Sequence, residues 1–131
     1  MSSLDAEKIL QFVTDSTRER LAPIKVFAEV PSTNSYLLSI SLPDSGRLSV
    51  AVTTNQTAGR GRHGKTWQSP SGVGLCLSVA YTFASQLENL PALTLAIGIG
   101  VADALRDLNI NDVKLKWPND LVALDGKLGG I

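Results

Sequence analysis

The segment from Gly59 to Gly74, GRGRHGKTWQSPSGVG, constrains the fold of this chain more than any other stretch. From Gly59 it fits both the dinucleotide fingerprint G-x-G-x-x-G and the P-loop pattern G-x-x-x-x-G-K-[ST]. Both motifs need a helix that starts directly after the loop and points its N-terminus at a phosphate. Pro70 and the glycines at 72 and 74 oppose such a helix. We therefore reject both motifs and predict a loop between two strands.

The charge of this loop predicts an anion site. No Asp or Glu occurs from Ser45 to Leu87, yet Arg60, Arg62, His63 and Lys65 follow one another closely on glycine-rich backbone. The formal net charge of the whole chain is zero, so duplex nucleic acid is not an obvious partner. Arginine matches carboxylate and phosphate with a planar fork, which favours a local anion site. A solvated basic loop is the alternative.

The remaining pattern predicts an α+β fold with a mixed, largely antiparallel sheet and flanking helices. Polar caps and apolar periodicity indicate three helices, and alternation of β-branched residues indicates the strands. We expect close packing on a sheet to explain Gly98 and Gly100 within the last helix. The predicted elements are a helix over Leu4–Leu21 capped by Ser3, a strand over 24–30, a helix over 32–40 capped by Ser32 or Thr33, strands over 47–56 and 74–83, a helix from Asn89 and Pro91 to about Leu108, a strand over 113–117 and a hairpin over 121–131 with an Asp125-Gly126 turn.

Composition limits the class of protein. The 131 residues suggest one domain or part of one, and 44% apolar residues suffice for a core. The single cysteine, Cys76, excludes an intrachain disulfide and is expected to be a core thiol. We see no signal peptide and no apolar run long enough for a membrane span. The sequence thus predicts a cytoplasmic location and no membrane partner.

Three blocks of sequence resemble the catalytic domain of biotin–protein ligases. They are STN at 32–34, TTNQTAGRGRHGKTWQSPSGVGLCLSV at 53–79 and KWPNDLVALDGKLGGI at 116–131. The resemblance runs from about Ile24 onward and implies the class II aminoacyl-tRNA synthetase/biotin synthetase fold. It also implies that residues 1–131 form the N-terminal part of that domain, C-terminally incomplete, without a DNA-binding domain or the family's C-terminal β-barrel. The predicted strand KLGGI would leave an open edge, so we expect either a homodimer through this edge or a weakly stable monomer that binds biotin poorly, and no complete biotin transfer by this chain alone.

The resemblance implies a ligase that forms a C–N bond. Biotin would react with MgATP to give biotinyl-5′-AMP and then pass to a lysine of the biotin carboxyl carrier domain of a biotin-dependent carboxylase. We expect ATP and Mg²⁺ as a substrate complex, no resident metal site and no DNA partner. Two alternatives stay open: a non-catalytic fragment that binds biotin, biotinyl-AMP or another protein, and a relative of the lipoate–protein ligases.

The resemblance also implies a role for each matching residue. Catalytic residues would be Lys127, which bridges the biotin carboxylate and the α-phosphate, and Arg62. Biotin would bind Ser32, Thr33, Asn34, Gln56, Arg60, Gly61, Arg62, Lys127 and Gly130. ATP would bind Arg60, Arg62, Lys65, Trp67, Lys116, Asn119 and Asp120, of which Asp120 would also place Mg²⁺ or orient Lys127. Taken alone, these residues have plainer interpretations: a helix cap for Ser32 or Thr33, a strand end for Gln56, a core position for Trp67 and a hairpin-turn lysine for Lys127.

Overall fold

The computed structural model describes residues 4–124 and 126–131, and contacts divide the chain into two units, one up to Ser85 and one from Gln86 to Ile131. The first unit contains α1 (Ala6–Leu10), α2 (Asp15–Arg18), β1 (Lys25–Phe27), α3 (Thr33–Ser39), β2 (Leu48–Thr53), a 3₁₀ turn (Arg62–Gly64) and β3 (Cys76–Tyr81). The second unit contains α4 (Leu90–Asp107), β4 (Val113–Lys116), β5 (Asp120–Ala123) and β6 (Gly126–Gly130).

The first unit is built on a mixed sheet with the order β1-β2-β3. Strand β1 runs parallel to β2, and β3 runs antiparallel to it with Ala51 opposite Ser78. Helix α3 packs against β2 and β3 and buries Leu37, beside the buried strand residues Ala51 and Val52. The small side chains of β3 form its half-buried face, as the predicted alternation allows. The predicted strands are present but shorter than expected, since three-residue β1 replaces the stretch 24–30.

The N-terminal region corrects one prediction. A single helix over Leu4–Leu21 is wrong, because α1 ends at Leu10 and α2 begins at Asp15. The side chain of Thr14 accepts a hydrogen bond from the backbone N–H of Thr17, so it caps a new helix where the pattern suggested a continuous one. Asp5 caps α1 in the same way, while the predicted cap Ser3 lies outside the described residues. Phe12, in the turn between the two short helices, is 89% exposed.

The second unit is an antiparallel meander, β4-β5-β6, covered on one face by α4. Ala102 of α4, Val113 and Leu121 form its buried core. The predicted helix start is confirmed, with Asn89 as the N-cap and a proline in the first turn. The predicted hairpin is confirmed as β5 and β6, although its turn residue Asp125 lies outside the described part of the chain.

The two glycines of α4 differ. A Cβ on Gly98 would lie 3.2 Å from Ile131 Cδ1 and 3.3 Å from Leu115 Cδ2, so packing on the sheet explains this glycine as predicted. A Cβ on Gly100 would meet nothing within 4 Å, so the same prediction is wrong there. The α+β class with mixed and antiparallel sheets is confirmed. Among the described helices, none combines the length and apolarity that a bilayer crossing requires.

Candidate functional site

The glycine-rich loop forms a short hairpin. The N–H of Trp67 donates to the Gly59 carbonyl at 2.9 Å, and the N–H of Gly61 donates to the Lys65 carbonyl at 2.7 Å. At the tip, His63 and Gly64 adopt positive φ angles of 56° and 73°. The prediction of a loop between strands with no following helix is confirmed, because the backbone after Thr66 has no helical segment before β3.

Gly59 holds the base of this hairpin through a close backbone approach. A Cβ at this position would lie 2.4 Å from the Trp67 carbonyl oxygen and 3.0 Å from Gln56 Nε2. No real side chain tolerates the first distance, so the position requires glycine. The hairpin base therefore depends on glycine at this position, while Arg60, Arg62 and Lys65 present exposed cationic side chains.

A pocket of about 470 Å³ lies beside this base. Its volume falls in the range of ~300–1,000 Å³ that is usual for small-molecule sites. The structure thus brings together Gln56 and Trp67, which the sequence assigned to biotin and to ATP. The lining consists of Gln56, Thr57, Gly59, Thr66, Trp67, Gln68, Ser69 and Pro70.

A series of partly buried hydrogen bonds connects this pocket to the start of α3. Gln56 Oε1 accepts hydrogen bonds from the Thr33 N–H at 2.8 Å and from Thr33 Oγ1 at 3.1 Å. Thr33 Oγ1 lies 2.8 Å from Ser78 Oγ. Thr33 is only 3% exposed, and groups this buried are hydrogen-bonded in native structures. The predicted pair Thr33 and Gln56 is therefore in direct contact.

Sequence reasoning missed Ser78 and Ser35. Ser78 lies between Cys76 and Ala80 on the half-buried face of β3, so a polar residue within a small-residue face was the available signal. Ser35 Oγ accepts a hydrogen bond of 3.4 Å from Arg60 Nη1, which places this arginine over the first turn of α3. The only signal in the sequence for a role of Ser35 was its position three residues after the helix cap Ser32.

The predicted residues at the start of α3 differ in environment. Ser32 is 3% exposed and its Oγ accepts a 3.2 Å hydrogen bond from the Ser35 N–H, so it is the N-cap of α3. Asn34 is exposed. The cap interpretation of Ser32 is confirmed, and the biotin-binding role of both residues stays a prediction.

The antiparallel register of the second unit brings several of its predicted residues together. Register sets Lys116 opposite Asp120, and Asp120 opposite Gly130, so these positions share a face. Lys127 Nζ forms an ion pair of 2.8 Å with Asp120 Oδ1. A Cβ on Gly130 would lie 3.7 Å from the same ammonium, so the backbone of β6 runs close to it. This geometry supports the interpretation that Asp120 orients Lys127.

Asn119 has a structural role at the end of the meander. Its Nδ2 donates to the Ile131 carbonyl at 3.1 Å, and the Ile131 N–H donates to the Asn119 carbonyl at 2.8 Å. These bonds hold the end of β6 beside β5. A cleft of about 120 Å³ lies at this edge, lined by Thr94, Leu95, Gly98, Leu115, Lys116, Trp117, Pro118, Asn119, Asp120 and Ile131. The assignment of Asn119 to ATP stays a prediction.

Cys76 does not belong to the reactive groups of this site. Burial raises the pKa of its thiol above the ordinary value, so the protonated, weakly nucleophilic form dominates at neutral pH. Within residues 4–124 and 126–131, no group of three or more His, Cys, Asp or Glu side chains could hold a metal ion.

Comparison with known proteins gives consistent matches. The sequence model of the Biotin/lipoate A/B protein ligase family matches residues 26–131. The bifunctional ligase/repressor BirA of Salmonella typhimurium is 44% identical over 133 residues, which cover 98% of this chain and 38% of that protein. This chain thus spans well under half the length of that curated relative.

Solved structures agree with the sequence matches. The biotin protein ligase of Leishmania major in complex with biotin superposes with a TM-score of 0.71 at 31% identity, covering 82% of this chain and 49% of that one. The biotin acetyl coenzyme A carboxylase synthetase of Helicobacter pylori with bound biotinylated ATP gives a TM-score of 0.64 at 33% identity, with coverage of 81% and 51%. The predicted resemblance to the synthetase fold of biotin ligases is confirmed.

Proposed function

Because this chain belongs to the biotin/lipoate A/B protein ligase family, we propose that it serves in the ATP-dependent activation of biotin and its transfer to a protein lysine. One observation carries the proposal. Gln56 lines the pocket beside Gly59, accepts hydrogen bonds from the buried Thr33, and lies beside a hairpin that presents three cationic side chains. Biotin has the matching chemistry, a neutral polar ureido ring at one end and a carboxylate at the other.

In the first step, an oxygen of the biotin carboxylate attacks the α-phosphorus of MgATP. A new P–O bond forms, the bond to the β-phosphate oxygen breaks, and pyrophosphate leaves with its electron pair. Carboxylate and polyphosphate repel each other, so catalysis consists mainly of neutralising and positioning them. We assign Arg62 and Lys127 to this task, because both would contact the reacting groups, with Mg²⁺ arriving on the nucleotide.

The remaining roles follow the predicted sets. For biotin we propose Ser32, Thr33, Asn34, Gln56, Arg60, Gly61, Arg62, Lys127 and Gly130. For ATP we propose Arg60, Arg62, Lys65, Trp67, Lys116, Asn119 and Asp120. The ion pair of Asp120 with Lys127 supports an orienting role for the carboxylate.

In the second step, the amine of a lysine on a carrier domain attacks the carbonyl carbon of biotinyl-5′-AMP. An amide forms and AMP leaves, so the net reaction makes a C–N bond. We propose the biotin carboxyl carrier domain of a carboxylase as the partner and the cytoplasm as the location. The Salmonella relative is called a repressor as well as a ligase, so the absence of a DNA partner for this chain stays a prediction.

The experiment combines two assays of the 131-residue chain. Biotin-dependent exchange of labelled pyrophosphate into ATP reports the first step, and an increase of one biotinyl group in the intact mass of a carrier domain reports the second. We expect Lys127→Ala to abolish the exchange and the exposed Lys25→Ala to retain it. Biotin binding without exchange would support the non-catalytic alternative, and activity with lipoate in place of biotin would support the lipoate alternative.

A further inference from the structure

We infer that Ser78 is a positioning residue: through the Thr33 hydroxyl it supports a second hydrogen bond that holds the Gln56 amide with its NH₂ toward the pocket, which selects ligands carrying a carbonyl acceptor. The inference rests on the proposed function, because it names the ligand feature that this same pocket recognises. It adds a residue outside the predicted site: Ser78 lies on β3, whereas Thr33 begins α3 and Gln56 follows β2.

The orientation of the Gln56 amide follows from the donors around it. The backbone N–H of Thr33 can only donate, so the amide atom 2.8 Å from it is the oxygen. The nitrogen Nε2 is then at the other end, beside Gly59, where a Cβ would lie 3.0 Å from it. Gln56 lines the pocket there and therefore offers a donor to a ligand.

The hydroxyl of Thr33 determines which group donates and which accepts in the hydrogen bonds that link Ser78, Thr33 and Gln56. It has one proton, and that proton is directed to Gln56 Oε1 at 3.1 Å. The contact of 2.8 Å with Ser78 Oγ must then use the proton of Ser78, with Thr33 Oγ1 as acceptor. Ser78 thus donates to Thr33, and Thr33 donates to Gln56. Such chains polarise each bond in turn, so the terminal bond strengthens.

Removal of the Ser78 hydroxyl frees Thr33 to rotate its proton away from Gln56. The amide oxygen then keeps only the Thr33 backbone N–H as a donor, so the orientation that presents NH₂ to the pocket is held by one hydrogen bond instead of two. The ureido oxygen of biotin needs the NH₂ orientation. An analogue whose ureido oxygen is replaced by a protonated imino group offers a donor and needs the reversed orientation.

The first arm of the experiment needs no ligand. In the ¹⁵N-labelled chain, Ser78→Ala is expected to shift the side-chain amide resonances of Gln56, and Ser78→Thr to leave them near their native positions. Ser49→Ala is the matched control, because Ser49 is a half-buried strand serine of β2 for which the described residues show no side-chain hydrogen bond. Unchanged Gln56 resonances in a folded Ser78→Ala chain would overturn the positioning role.

The second arm measures binding by calorimetry. We expect Ser78→Ala to weaken biotin binding roughly tenfold, as loss of a buried hydrogen-bond partner does. We also expect it to reduce the ratio between the dissociation constants of the imino analogue and of biotin. In a Gln56→Ala background, Ser78→Ala should have no further effect. Equal weakening of both ligands would overturn the selective role. A native chain that binds neither ligand would overturn the proposed function, while the resonance measurement would still decide whether Ser78 positions Gln56.

Discussion

At the residue scale, two cationic side chains carry the proposed chemistry in different settings. Lys127 is held by Asp120 at 2.8 Å on a paired strand, with its side chain 45% exposed. Arg62 begins the exposed 3₁₀ turn at the tip of the hairpin. We expect the cation that is held by an ion pair to neutralise an anion present throughout the reaction. We expect the cation on the loop to neutralise charge that arrives with a second substrate.

Asp120→Asn tests whether the ion pair with Asp120 positions Lys127. We expect the free energy of unfolding to change by less than about 1 kcal/mol, because partly exposed ion pairs contribute little. We expect pyrophosphate exchange to fall on the order of a hundredfold, because displacement of a catalytic group by ~1 Å has that effect. Asp112→Asn removes a comparable ion pair of 3.4 Å with Lys114 in the same unit and should retain the exchange. Equal rates for both variants would show that Asp120 does not position Lys127.

Arg62→Ala tests the cation at the tip of the hairpin. We expect it to weaken binding of biotinyl-5′-AMP more than binding of biotin, because Arg62 should meet phosphate charge that biotin lacks. Calorimetry with each ligand gives the two dissociation constants. The exposed Arg20→Ala serves as the control for loss of a charge in the same unit. Equal losses for both ligands would mean that the role of Arg62 is misassigned.

At the element scale, helix caps, prolines and glycines determine where helices begin and where none can form, which the apolar pattern alone does not determine. Helix α3 follows its predicted cap Ser32, whereas Thr14 starts α2 inside a predicted longer helix. A capping residue within a periodic stretch is ambiguous, because the apolar pattern continues on both sides of it. The hairpin of the glycine-rich loop was predictable because proline and glycine exclude the helix that both phosphate motifs require.

The glycines of α4 give a matched prediction. Gly100→Ala should stabilise the chain by roughly 0.5–1 kcal/mol, since alanine gains helix propensity and its Cβ meets nothing within 4 Å. Gly98→Ala should destabilise it by about 1 kcal/mol or more, since the new methyl would press on Leu115 and Ile131 at 3.2–3.3 Å. Urea denaturation of both variants measures the difference. Equal effects would contradict the packing of Gly98.

The hairpin itself gives a prediction about motion. We expect the stretch Gln56–Thr66 to be poorly ordered without ligand, because glycines and like charges oppose order. The amides of Gly61 and Trp67, which are hydrogen-bonded to the opposite side of the hairpin, should exchange with deuterium more slowly than those of the tip at 62–64. Saturating biotin and MgATP should slow exchange throughout. Strong protection of the tip in the free chain would contradict this expectation.

At the scale of the whole molecule, local sequence patterns were sufficient to predict the fold class and the order of the main elements from β1 onward, but not the two short helices before β1. It predicted Thr33 and Gln56 through the family resemblance. It could not supply Ser78, because the contact between Ser78 and Thr33 spans 45 residues and leaves no periodic signal in either segment. This contact joins a strand to a helix, so it forms only when α3 packs on the assembled sheet.

Ligand binding should be visible in the stability of the whole chain. Biotin at about 100 times its dissociation constant should raise the free energy of unfolding by ~2.7 kcal/mol, because it binds the folded state alone. Lipoate, which has no ureido carbonyl, should give a much smaller shift in the melting temperature. Thermal unfolding with each ligand measures both shifts. An equal shift with lipoate would contradict selection by the Gln56 amide.

The hydrogen-bond chain from Ser78 to Gln56 also makes the pocket a late product of folding. Its members lie 23 and 45 residues apart in the sequence, so loop closure must precede their contact, and such non-local contacts form slowly. On the ribosome, the pocket cannot be complete before residue 78 has emerged and β3 has paired with β2. Biotin would therefore be recognised only by a chain that has already acquired its native sheet, which makes the ligand a reporter of correct folding.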